Sequence, residues 1–561
     1  MSVFIGYPSF MAYQMMKGKK DNNEGFPPIP GTIARYSALG LTNEEMSKNP
    51  VWVDKTGNDH DLQMKNFAWG GMSGVGGYEM NFNLWKNNVP SISDISMSKT
   101  TTSVSVSVGN SAYNNNLIYI HINNWDINKN HWLKVTSTYE DGDLAFIFYN
   151  DSNTKKIGLP ANGYVNILAY PEFKGSYMYI STTSNKQGSF TIEQLPLYPG
   201  ALVFDGVDDY GVCENFPILT KEKGYTVVAL RQWITRGEGA LGLVSNVKNW
   251  LNNGAFLLEY RNIQADHLNK PISFGAIGSE MDLPHILTYQ TSKSCNGVSI
   301  TTGNFEGTDV LHVGKLAPTN VGTCINAAIW ELVFLDHDAT EEELTKIKDY
   351  FVKTYPWLFP DQAWTVVGKT NEDEDRATIA NITGNGNDLI LSNFGFAEGS
   401  GYNEQGEYAG YLVTDGVDDI ASSNTIIYEA DFTFIGEWKF IQKDGTVAGI
   451  NSISHLYIQN RYNRGATIMI NSTFENKKNI TDYMTFKAIT SKGKAYDENW
   501  NEVDLLYGDG YKGPSGVNIG GQGSTEFCHM IFKNMALYMN KVFSKDDCIK
   551  AYNYLQTLKA K

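Results

Sequence analysis

Two short phrases occur twice in this chain, in the same order, and this repetition constrains the fold more than any other feature. Residues 202–209 (LVFDGVDD) return as residues 412–419 (LVTDGVDD). A second phrase precedes each copy: Thr56-Gly57-Asn58 returns as Thr383-Gly384-Asn385. Internal repeats are the sequence signature of duplicated structural units, so we predict two related domains.

The spacing of the two phrases differs between the copies. Gly57 and Asp205 are 148 positions apart, whereas Gly384 and Asp415 are only 31 apart. The surplus is the size of a small domain, and a folded scaffold tolerates such an insertion at a loop tip. We therefore predict four segments, which are an N-terminal segment and linker (1–33), the first repeat (34–82 with 199–359), an inserted unit (83–198) and the second repeat (360–561).

The residue pattern of the inserted unit predicts strands. Val104, Val106 and Val108 alternate with serines, which is the period of a half-buried strand. Several further short apolar runs follow, separated by turn sequences such as Asp141-Gly142-Asp143. Regular short strands with turns every ten or so residues are typical of a β-sandwich.

Each repeat ends in a sequence that predicts one helix. Thr340 with Glu343 three residues later forms a capping box, and Ser544 with Asp547 does the same in the second repeat. We expect each helix to cover an edge of its sheet and so protect it from edge-to-edge pairing. The fold class predicted for the whole chain is all-β, with two sandwiches, a third inserted sandwich and a short C-terminal helix on each repeat.

Composition and charge exclude several classes of protein. Aromatic residues at 13% and 53 glycines favour sheets with many turns. A net charge of −16 argues against nucleic acid or an anionic membrane as the main partner. No apolar run is long enough to span a bilayer, so we expect no membrane insertion. Five cysteines without a CxxC spacing predict neither a disulfide framework nor a zinc site.

The first 33 residues fit no domain pattern. Pro27-Pro28-Ile29-Pro30 predicts a stiff linker, and the residues before it are rich in aromatics. Disordered tails are poor in aromatics, which favours a docking peptide; a disordered tail remains the alternative. The candidate docking residues are Phe4, Tyr7, Phe10 and Tyr13. Lys17, Lys19 and Lys20 follow the apolar residues, the reverse of a secretory signal, so we expect synthesis in a cytoplasm and release by lysis.

The repeated phrases resemble those of the laminin-G-like, concanavalin-A-like jelly-roll family. That family opens with an Asp-x-Ser/Thr-Gly-Asn-Gly-x-Asp phrase and continues with Phe-Asp-Gly-x-Asp-Asp. The residues of the first repeat that match are Asp54, Thr56, Gly57, Asn58, Asp61 and Phe204. The chain departs from the pattern at Asp59, at Asn381 and at Thr414. The resemblance implies two jelly-roll sandwiches over about two-thirds of the chain.

The arrangement of these units resembles that of fibre proteins of crAss-like phages of gut Bacteroidales. It implies a non-enzymatic subunit of a head fibre or tail appendage on the virion surface. The implied partners are further copies of the chain, as a dimer or trimer, other virion proteins bound through the N-terminus, and host or mucus glycans. Two alternatives stay open: a carbohydrate-binding surface adhesin of a Bacteroidales bacterium, and a glycan-cleaving enzyme.

The acidic turns are the candidate metal site. Asp205, Asp208, Asp415 and Asp418 carry the oxygen ligands that calcium prefers. The alternative is a turn whose carboxylates accept backbone N–H bonds and lock the start of a strand. Two ligands in each copy are too few for calcium's six to eight oxygens, so the turn is favoured and no cofactor is expected.

Aromatic residues are the candidate glycan contacts. Trp250, with Asn252 and Asn253 beside it, is the best loop candidate, whereas Trp52, Trp69, Trp233, Trp330 and Trp438 are expected in the cores. A retaining glycosidase needs a pair of carboxylates about 5 Å apart, and jelly-roll glucanases carry theirs in a Glu-x-Asp-x-x-Glu phrase that this sequence lacks. We therefore expect no enzymatic activity.

Overall fold

The structure is a computed structural model in which the chain is all-β, with antiparallel sheets throughout and short helices. The residues that it describes are 25–87, 95–109, 118–122, 131–150, 153–167, 173, 177–182, 187–220, 222–235, 240–247, 255–260, 287–295, 298–299, 307–315, 324–406, 408–441, 447–452, 456–461, 465–470, 478–480, 486–505, 507, 513–522 and 526–560.

The first repeat begins before the inserted unit and resumes after it. The strands before the inserted unit are β1 (Thr32–Ser37), β2 (Val51–Trp52), β3 (Leu62–Lys65) and β4 (Gly74–Val75), with helix α1 (Asn43–Lys48) after β1.

The inserted unit contributes β5 to β14. Their bounds are β5 (Lys86–Asn87), β6 (Ile95–Lys99), β7 (Ser103–Val108), β8 (Ile118–Ile122), β9 (His131–Ser137), β10 (Leu144–Tyr149), β11 (Thr154–Gly158), β12 (Asn162–Ile167), β13 (Tyr177–Thr182) and β14 (Gly188–Gln194). A 3-10 turn, Phe82–Leu84, precedes them.

The rest of the first repeat contributes ten strands and a helix. They are β15 (Leu202–Asp205), β16 (Tyr210–Glu214), β17 (Thr226–Trp233), β18 (Ala240–Val247), β19 (Ala255–Tyr260), β20 (Leu287–Thr291), β21 (Ser294–Cys295), β22 (Val298–Ser299), β23 (Gly307–Val313), β24 (Asn326–Leu335) and α2 (Glu341–Thr354), followed by the 3-10 turn Pro356–Leu358.

The second repeat contributes twenty strands and helix α3 (Lys545–Gln556). The strands are β25 (Gln362–Thr365), β26 (Thr378–Ile379), β27 (Leu389–Ser392), β28 (Gly401–Asn403), β29 (Tyr411–Asp415), β30 (Ile420–Ser423), β31 (Ile426–Tyr428), β32 (Phe432–Phe440), β33 (Val447–Ser452), β34 (Leu456–Arg461), β35 (Gly465–Ile470), β36 (Lys478–Ile480), β37 (Phe486–Thr490), β38 (Lys494–Asp497), β39 (Glu502–Asp504), β40 (Gly513–Ser515), β41 (Asn518–Ile519), β42 (Gly521–Gln522), β43 (Glu526–Phe527) and β44 (His529–Met539).

The larger sheet has the same strand order in both repeats. In the first repeat the order is β22-β21-β20-β17-β24-β15-β4, and in the second it is β39-β38-β37-β32-β44-β29-β28. Each larger sheet has an eighth strand that pairs with the C-terminal half of its longest strand. In the first repeat β1 pairs with β24, and in the second repeat β25 pairs with β44. The smaller sheets also correspond, because β2-β3-β16-β23-β18-β19 matches β26-β27-β30-β41-β33-β34.

The described strands of the inserted unit pair only with one another. They form two five-stranded sheets, β11-β10-β13-β8-β5 and β12-β9-β14-β7-β6. A separate hydrophobic core that includes Phe146, Phe148 and Ile180 lies between the sheets. The exact domain boundaries at residues 83 and 198 stay a prediction.

The helices begin where the sequence predicts but lie elsewhere than expected. Thr340 caps α2 with a complete capping box, and Ser544 caps α3 by accepting from the backbone N–H of Asp547. Helix α3 packs against β32, β44 and β37, which are central strands. The prediction that the helix covers a sheet edge was therefore wrong: an amphipathic helix buries more apolar area on the face of the sheet.

One hydrophobic cluster joins all three parts of the chain. It contains outward-facing residues of both larger sheets, such as Val228 and Ile435, together with the apolar sides of α2 and α3. Trp132 and Tyr164 of the inserted unit belong to the same cluster. Because this cluster covers the outer face and the sandwich core covers the inner one, all eight residues of β17 are buried.

The expectation for the core tryptophans is confirmed. The tryptophans expected in cores are buried, at no more than 9% exposure for Trp52, Trp69, Trp233, Trp330 and Trp438. The four cysteines whose side chains are described are free thiols in buried positions. None of the helices in the described ranges is long and apolar enough to cross a membrane.

Candidate functional site

The acidic turn of the first repeat is held by its own backbone. The Asp205 carboxylate accepts from the N–H groups of Val207 and Asp208, at 2.8 and 3.4 Å. Asp209 is fully buried and uses both oxygens: Oδ2 accepts from the N–H of Asp205 at 3.0 Å, and Oδ1 accepts from the Ser73 hydroxyl at 3.0 Å. These bonds fix the turn that connects β15 of the larger sheet to β16 of the smaller sheet.

The second repeat reproduces this turn almost bond for bond. The Asp415 carboxylate accepts from the N–H groups of Val417 and Asp418. Asp419 is fully buried and accepts from the N–H of Asp415 at 2.9 Å and from the Ser400 hydroxyl at 3.1 Å. The same interactions have thus been kept in two copies that otherwise differ widely in sequence.

The carboxylates of each turn lie close enough to hold a cation. One ligand atom from each of Asp205, Asp208 and Asp209 falls within 4.8 Å of the others, and the twin turn is alike. However, both oxygens of Asp209 already accept hydrogen bonds, and one oxygen of Asp205 accepts two. The residues present therefore fit a calcium cage poorly, because few carboxylate oxygens remain for a cation that wants six to eight. A calcium role for Asp205, Asp208, Asp415 and Asp418 stays the weaker alternative to the structural turn that the sequence predicts.

Burial makes the inner carboxyl group of each turn hard to ionise. Desolvation raises the pKa of Asp209 to about 7, the nearby charge of Asp205 adds to this, and the Ser73 hydrogen bond acts in the opposite direction. Desolvation likewise raises the pKa of Asp419 to about 6. Raised carboxyl pKa values are common in active sites, but here the groups face backbone and serine donors inside the fold.

The opening phrase of each repeat ties the start of the repeat to its second sheet. Asp54 Oδ1 accepts from the N–H groups of Arg35 and Thr56, and Asp61 accepts from the N–H of Asp54. Asn58 donates to the carbonyl oxygen of Ile33 at 2.7 Å. The motif residues therefore serve as hydrogen-bonding links within the fold.

The second repeat shows why asparagine can replace aspartate at the first position of this phrase. Asn381 Oδ1 accepts from the N–H groups of Ala363 and Thr383, as the aspartate does in the first repeat. Its Nδ2 donates to the carbonyl oxygen of Gly386 at 2.5 Å and to the side-chain oxygen of Gln362. The amide thus supplies donors that a carboxylate lacks.

The predicted glycan and docking residues lie outside the described residues. This holds for Trp250, Asn252 and Asn253, and for Phe4, Tyr7, Phe10 and Tyr13. Their proposed roles stay predictions.

Sequence reasoning missed a buried ion pair under helix α2. The Arg35 guanidinium donates to both carboxylate oxygens of Glu331, at 2.9 and 3.1 Å. Tyr350 and Tyr355 donate to the same carboxylate, at 3.2 and 3.0 Å. Neither charged residue belongs to a repeated phrase, and 296 positions separate them, so no local pattern marks the pair.

A second buried carboxylate lies under helix α3. Glu437 accepts from Tyr411 at 2.5 Å and from Tyr552 at 3.1 Å, and the Lys533 ammonium is 3.7 Å away. Burial alone would raise the pKa of Glu437, but the charges of Lys487 and Lys533 lower it to about 2. Lys487 also donates to the Tyr552 hydroxyl at 3.0 Å.

Comparison with known proteins adds little to this picture. No protein-family model and no curated protein matches the chain. Among solved structures, a Trypanosoma rangeli sialidase in complex with sialic acid aligns with a TM-score of 0.26 and 10% identity, over 83% of this chain and 84% of that one. A structure concerned with botulinum neurotoxin type C and two ganglioside molecules aligns with a TM-score of 0.22 and 11% identity, over 58% and 86%. Similarities this weak carry no argument about function.

Proposed function

We propose that this chain is a non-enzymatic structural subunit of a virion, a head fibre or a tail appendage, that displays three β-sandwiches and binds glycans of the host or of mucus. The proposal rests on the resemblance of its repeated phrases and of their arrangement to such fibre proteins. We further propose that the two repeats are laminin-G-like jelly rolls, that residues 1–33 bind other virion proteins, and that the subunit assembles as a dimer or trimer.

The observation that best supports a structural role is the use of the repeated carboxylates. Asp209 and Asp419 are fully buried, and both carboxylate oxygens of each residue accept hydrogen bonds within the fold. Asp54 and its counterpart Asn381 hold backbone N–H groups in the same way. A motif kept for catalysis would instead present its carboxylates to a substrate, within reach of the reacting atoms.

The shared cluster suits a fibre subunit. The sheets of both repeats, their helices and the inserted unit all pack into this one cluster. Units joined in this way resist bending relative to one another, because any hinge motion would expose apolar surface to water. A stiff subunit transmits load between a particle and its target, which is the mechanical demand on an appendage.

Labelling of particles tests the proposal against the adhesin alternative. An antibody against the full chain is applied to cultures that produce it, and bound antibody is located by immunogold electron microscopy. We expect label on phage particles at one fixed position. Label on intact bacterial cells with none on particles would instead support a surface adhesin.

A hydrolysis assay tests the enzyme alternative. The purified chain is incubated with mixed gut glycans, and reducing ends are measured. We expect no turnover. Reproducible turnover that disappears on substitution of a single carboxylate would overturn the non-enzymatic proposal, and loss on substitution of Asp205 or Asp208 would place the chemistry in the acidic turn.

A further inference from the structure

The outer face of one sheet of the inserted unit carries tyrosines that the fold does not bury. In β10, Leu144, Phe146 and Phe148 point into the sandwich core, so Ile147 and Tyr149 point outward. Tyr149 lies opposite Tyr177 of β13, and these side chains are 43% and 52% exposed. Tyr179 follows Tyr177 by two positions along β13, so it lies on the same face, opposite Ile147 of β10.

The three rings form one group. Opposite residues on neighbouring antiparallel strands have Cβ atoms about 5 Å apart, and alternate residues along a strand share a face. Burial raises the pKa of Tyr179, and the nearby Tyr149 contributes to the shift, which places these two side chains close together. Tyr149, Tyr177 and Tyr179 are here called the tyrosine face.

The opposite sheet of the same unit shows what a covered aromatic face looks like. Its outward aromatic side chains, Trp132 and Tyr164, are only 7% and 8% exposed. The ring of Trp132 packs edge-on against Trp500 and Tyr552 of the second repeat, at 6.2 and 6.3 Å between centroids. The inserted unit thus uses one aromatic face for internal packing, whereas on the tyrosine face Tyr149 and Tyr177 are exposed and Tyr179 is half-buried.

Positive charges border the tyrosine face. A row across the sheet runs through Lys156, Ile147, Tyr179, His121 and Lys86. The lysines stand on the two edge strands, β11 and β5.

The described strand residues of this face carry no acidic side chain. The outward-facing residues whose side chains are described in its strands include no carboxylate: they are Lys86, His121, Ala145, Ile147, Tyr149, Thr154, Lys156, Tyr177, Tyr179 and Ser181. This is notable in a chain with a net charge of −16.

We propose that the tyrosine face binds a glycan that carries carboxylate groups. The apolar C–H faces of sugar rings would stack on the tyrosine rings, and the phenol hydroxyls would exchange hydrogen bonds with sugar hydroxyls. Lys156 and Lys86 would attract the carboxylates along the two edges of the sheet. A second copy of the chain fits less well, because two such faces would bring lysines against lysines. This inference names a surface for glycan binding and so rests on the proposed function.

Calorimetric titration of the full chain with an oligogalacturonate tests the proposal. A neutral malto-oligosaccharide of the same length serves as the comparison ligand. We expect the acidic oligosaccharide to bind, to bind more weakly as salt is added, and to bind better than the neutral one. The double variant Tyr149→Ala/Tyr177→Ala should lose roughly tenfold or more in affinity, since each ring contributes a stacking contact.

A pair of lysine variants provides a matched control. Lys156→Glu reverses a charge on the tyrosine face, whereas Lys155→Glu reverses the neighbouring charge on the same edge strand, opposite the core residue Phe148. We expect several-fold weaker binding in the first variant and a much smaller change in the second. Both positions are exposed, so neither change should lower the unfolding midpoint by more than a few degrees.

The outcomes separate the site from the wider function. If the wild-type chain binds the acidic glycan but the tyrosine and lysine variants bind equally well, the tyrosine face is overturned while glycan binding stands. If the wild-type chain binds no acidic glycan, the inference fails, and particle labelling still decides the virion role. If the double tyrosine variant instead changes the sedimentation of the chain from oligomer to monomer, the face is a contact between copies and the proposal is overturned.

Discussion

The two repeats share a strand order yet stabilise the region beneath their helices in different ways. In the first repeat the buried carboxylate is Glu331 on β24, opposite Leu230 of β17. In the second repeat the corresponding cross-strand pair is Glu437 of β32 and Asn534 of β44, so the carboxylate stands on the partner strand. A β-bulge follows the pair in both repeats, between Leu230 and Arg231 and after Glu437.

The cation that neutralises the carboxylate also comes from a different strand in each repeat. Arg35 on β1 meets Glu331 with two hydrogen bonds, whereas Lys533 and Lys487 approach Glu437 from β44 and β37. A tyrosine of the C-terminal helix donates to the carboxylate in each case, Tyr350 in one and Tyr552 in the other. The comparison teaches that different residues in different positions can neutralise a buried carboxylate at this place in the fold.

The largest effect is expected from breaking the ion pair of the first repeat. Glu331→Ala leaves the buried Arg35 guanidinium without its partner, and removal of one member of a buried pair costs about 3–5 kcal/mol. Denaturant unfolding of the full chain measures the loss. Glu342→Ala, on the exposed side of α2, is the control and should change the free energy of unfolding by less than about 0.5 kcal/mol. Equal effects of the two variants would contradict the importance of the pair.

A smaller effect with a distinct pH signature is expected in the second repeat. Glu437→Gln keeps a side chain that accepts from the tyrosines but removes the charge that faces Lys487 and Lys533, at a cost on the order of 2–3 kcal/mol. The pKa of Glu437 is lowered to about 2, so its stabilisation is present above the unfolded pKa and is lost as pH falls from about 4.5 towards 2. Thermal unfolding between pH 2 and 6 should show this loss in the wild type and a flatter profile in the variant; parallel profiles would contradict it.

The acidic turns should give a pH dependence of the opposite sign. The pKa of Asp209 is raised in the folded state to about 7, so the folded chain holds this proton more tightly than the unfolded chain does. Stability should therefore fall as pH rises from about 4 to about 7, by on the order of 1–3 kcal/mol.

Paired variants of the two turns attribute this effect. Asp209→Asn should remove that component of the pH dependence, and Asp419→Asn should remove a smaller one, since the pKa of Asp419 is raised only to about 6. Thermal unfolding midpoints measured from pH 4 to pH 8 give the comparison. If both variants keep the wild-type pH profile, these carboxyl groups do not titrate as inferred.

The smallest effect is expected from exchanging the first residues of the opening phrases. Asn381→Asp places a carboxylate oxygen against the carbonyl oxygen of Gly386, and Asp54→Asn places an amide N–H₂ where Asp54 now accepts the N–H of His60. Each exchange should cost about 1–2 kcal/mol, because a buried hydrogen bond is replaced by a mismatch. Neutral exchanges, measured by chemical denaturation, would show that the two positions are interchangeable.

The sequence predicted the duplicated architecture because the repeated residues act locally. Gly206 and Gly416 have positive φ angles of 81° and 77°, and the aspartates around them bond to backbone two to four positions away. Such a turn depends on a short run of neighbouring residues, so it can be recognised in the sequence. The helix caps at Thr340 and Ser544 are local in the same sense, and both were predicted at the right residue.

The sequence did not predict how the three parts pack together. The outward-facing apolar residues of β17 follow no alternating pattern, since both of its faces are buried. The placement of α3 on the face of its sheet brings it against β32, about a hundred positions earlier, and the contact of Trp132 with Tyr552 joins residues 420 positions apart. The tyrosine face was also missed, because nothing in a strand sequence tells which of its two faces a neighbouring unit will cover.

The sequence by itself determined the all-β class, the duplication and the hydrogen-bonded turns, because each depends on interactions over a few residues. Only the tertiary structure decided which charges meet beneath the helices, which aromatic face of the inserted unit is buried and which is open. Those outcomes depend on long-range contacts between faces, and such contacts arise from packing as a whole rather than from any local pattern.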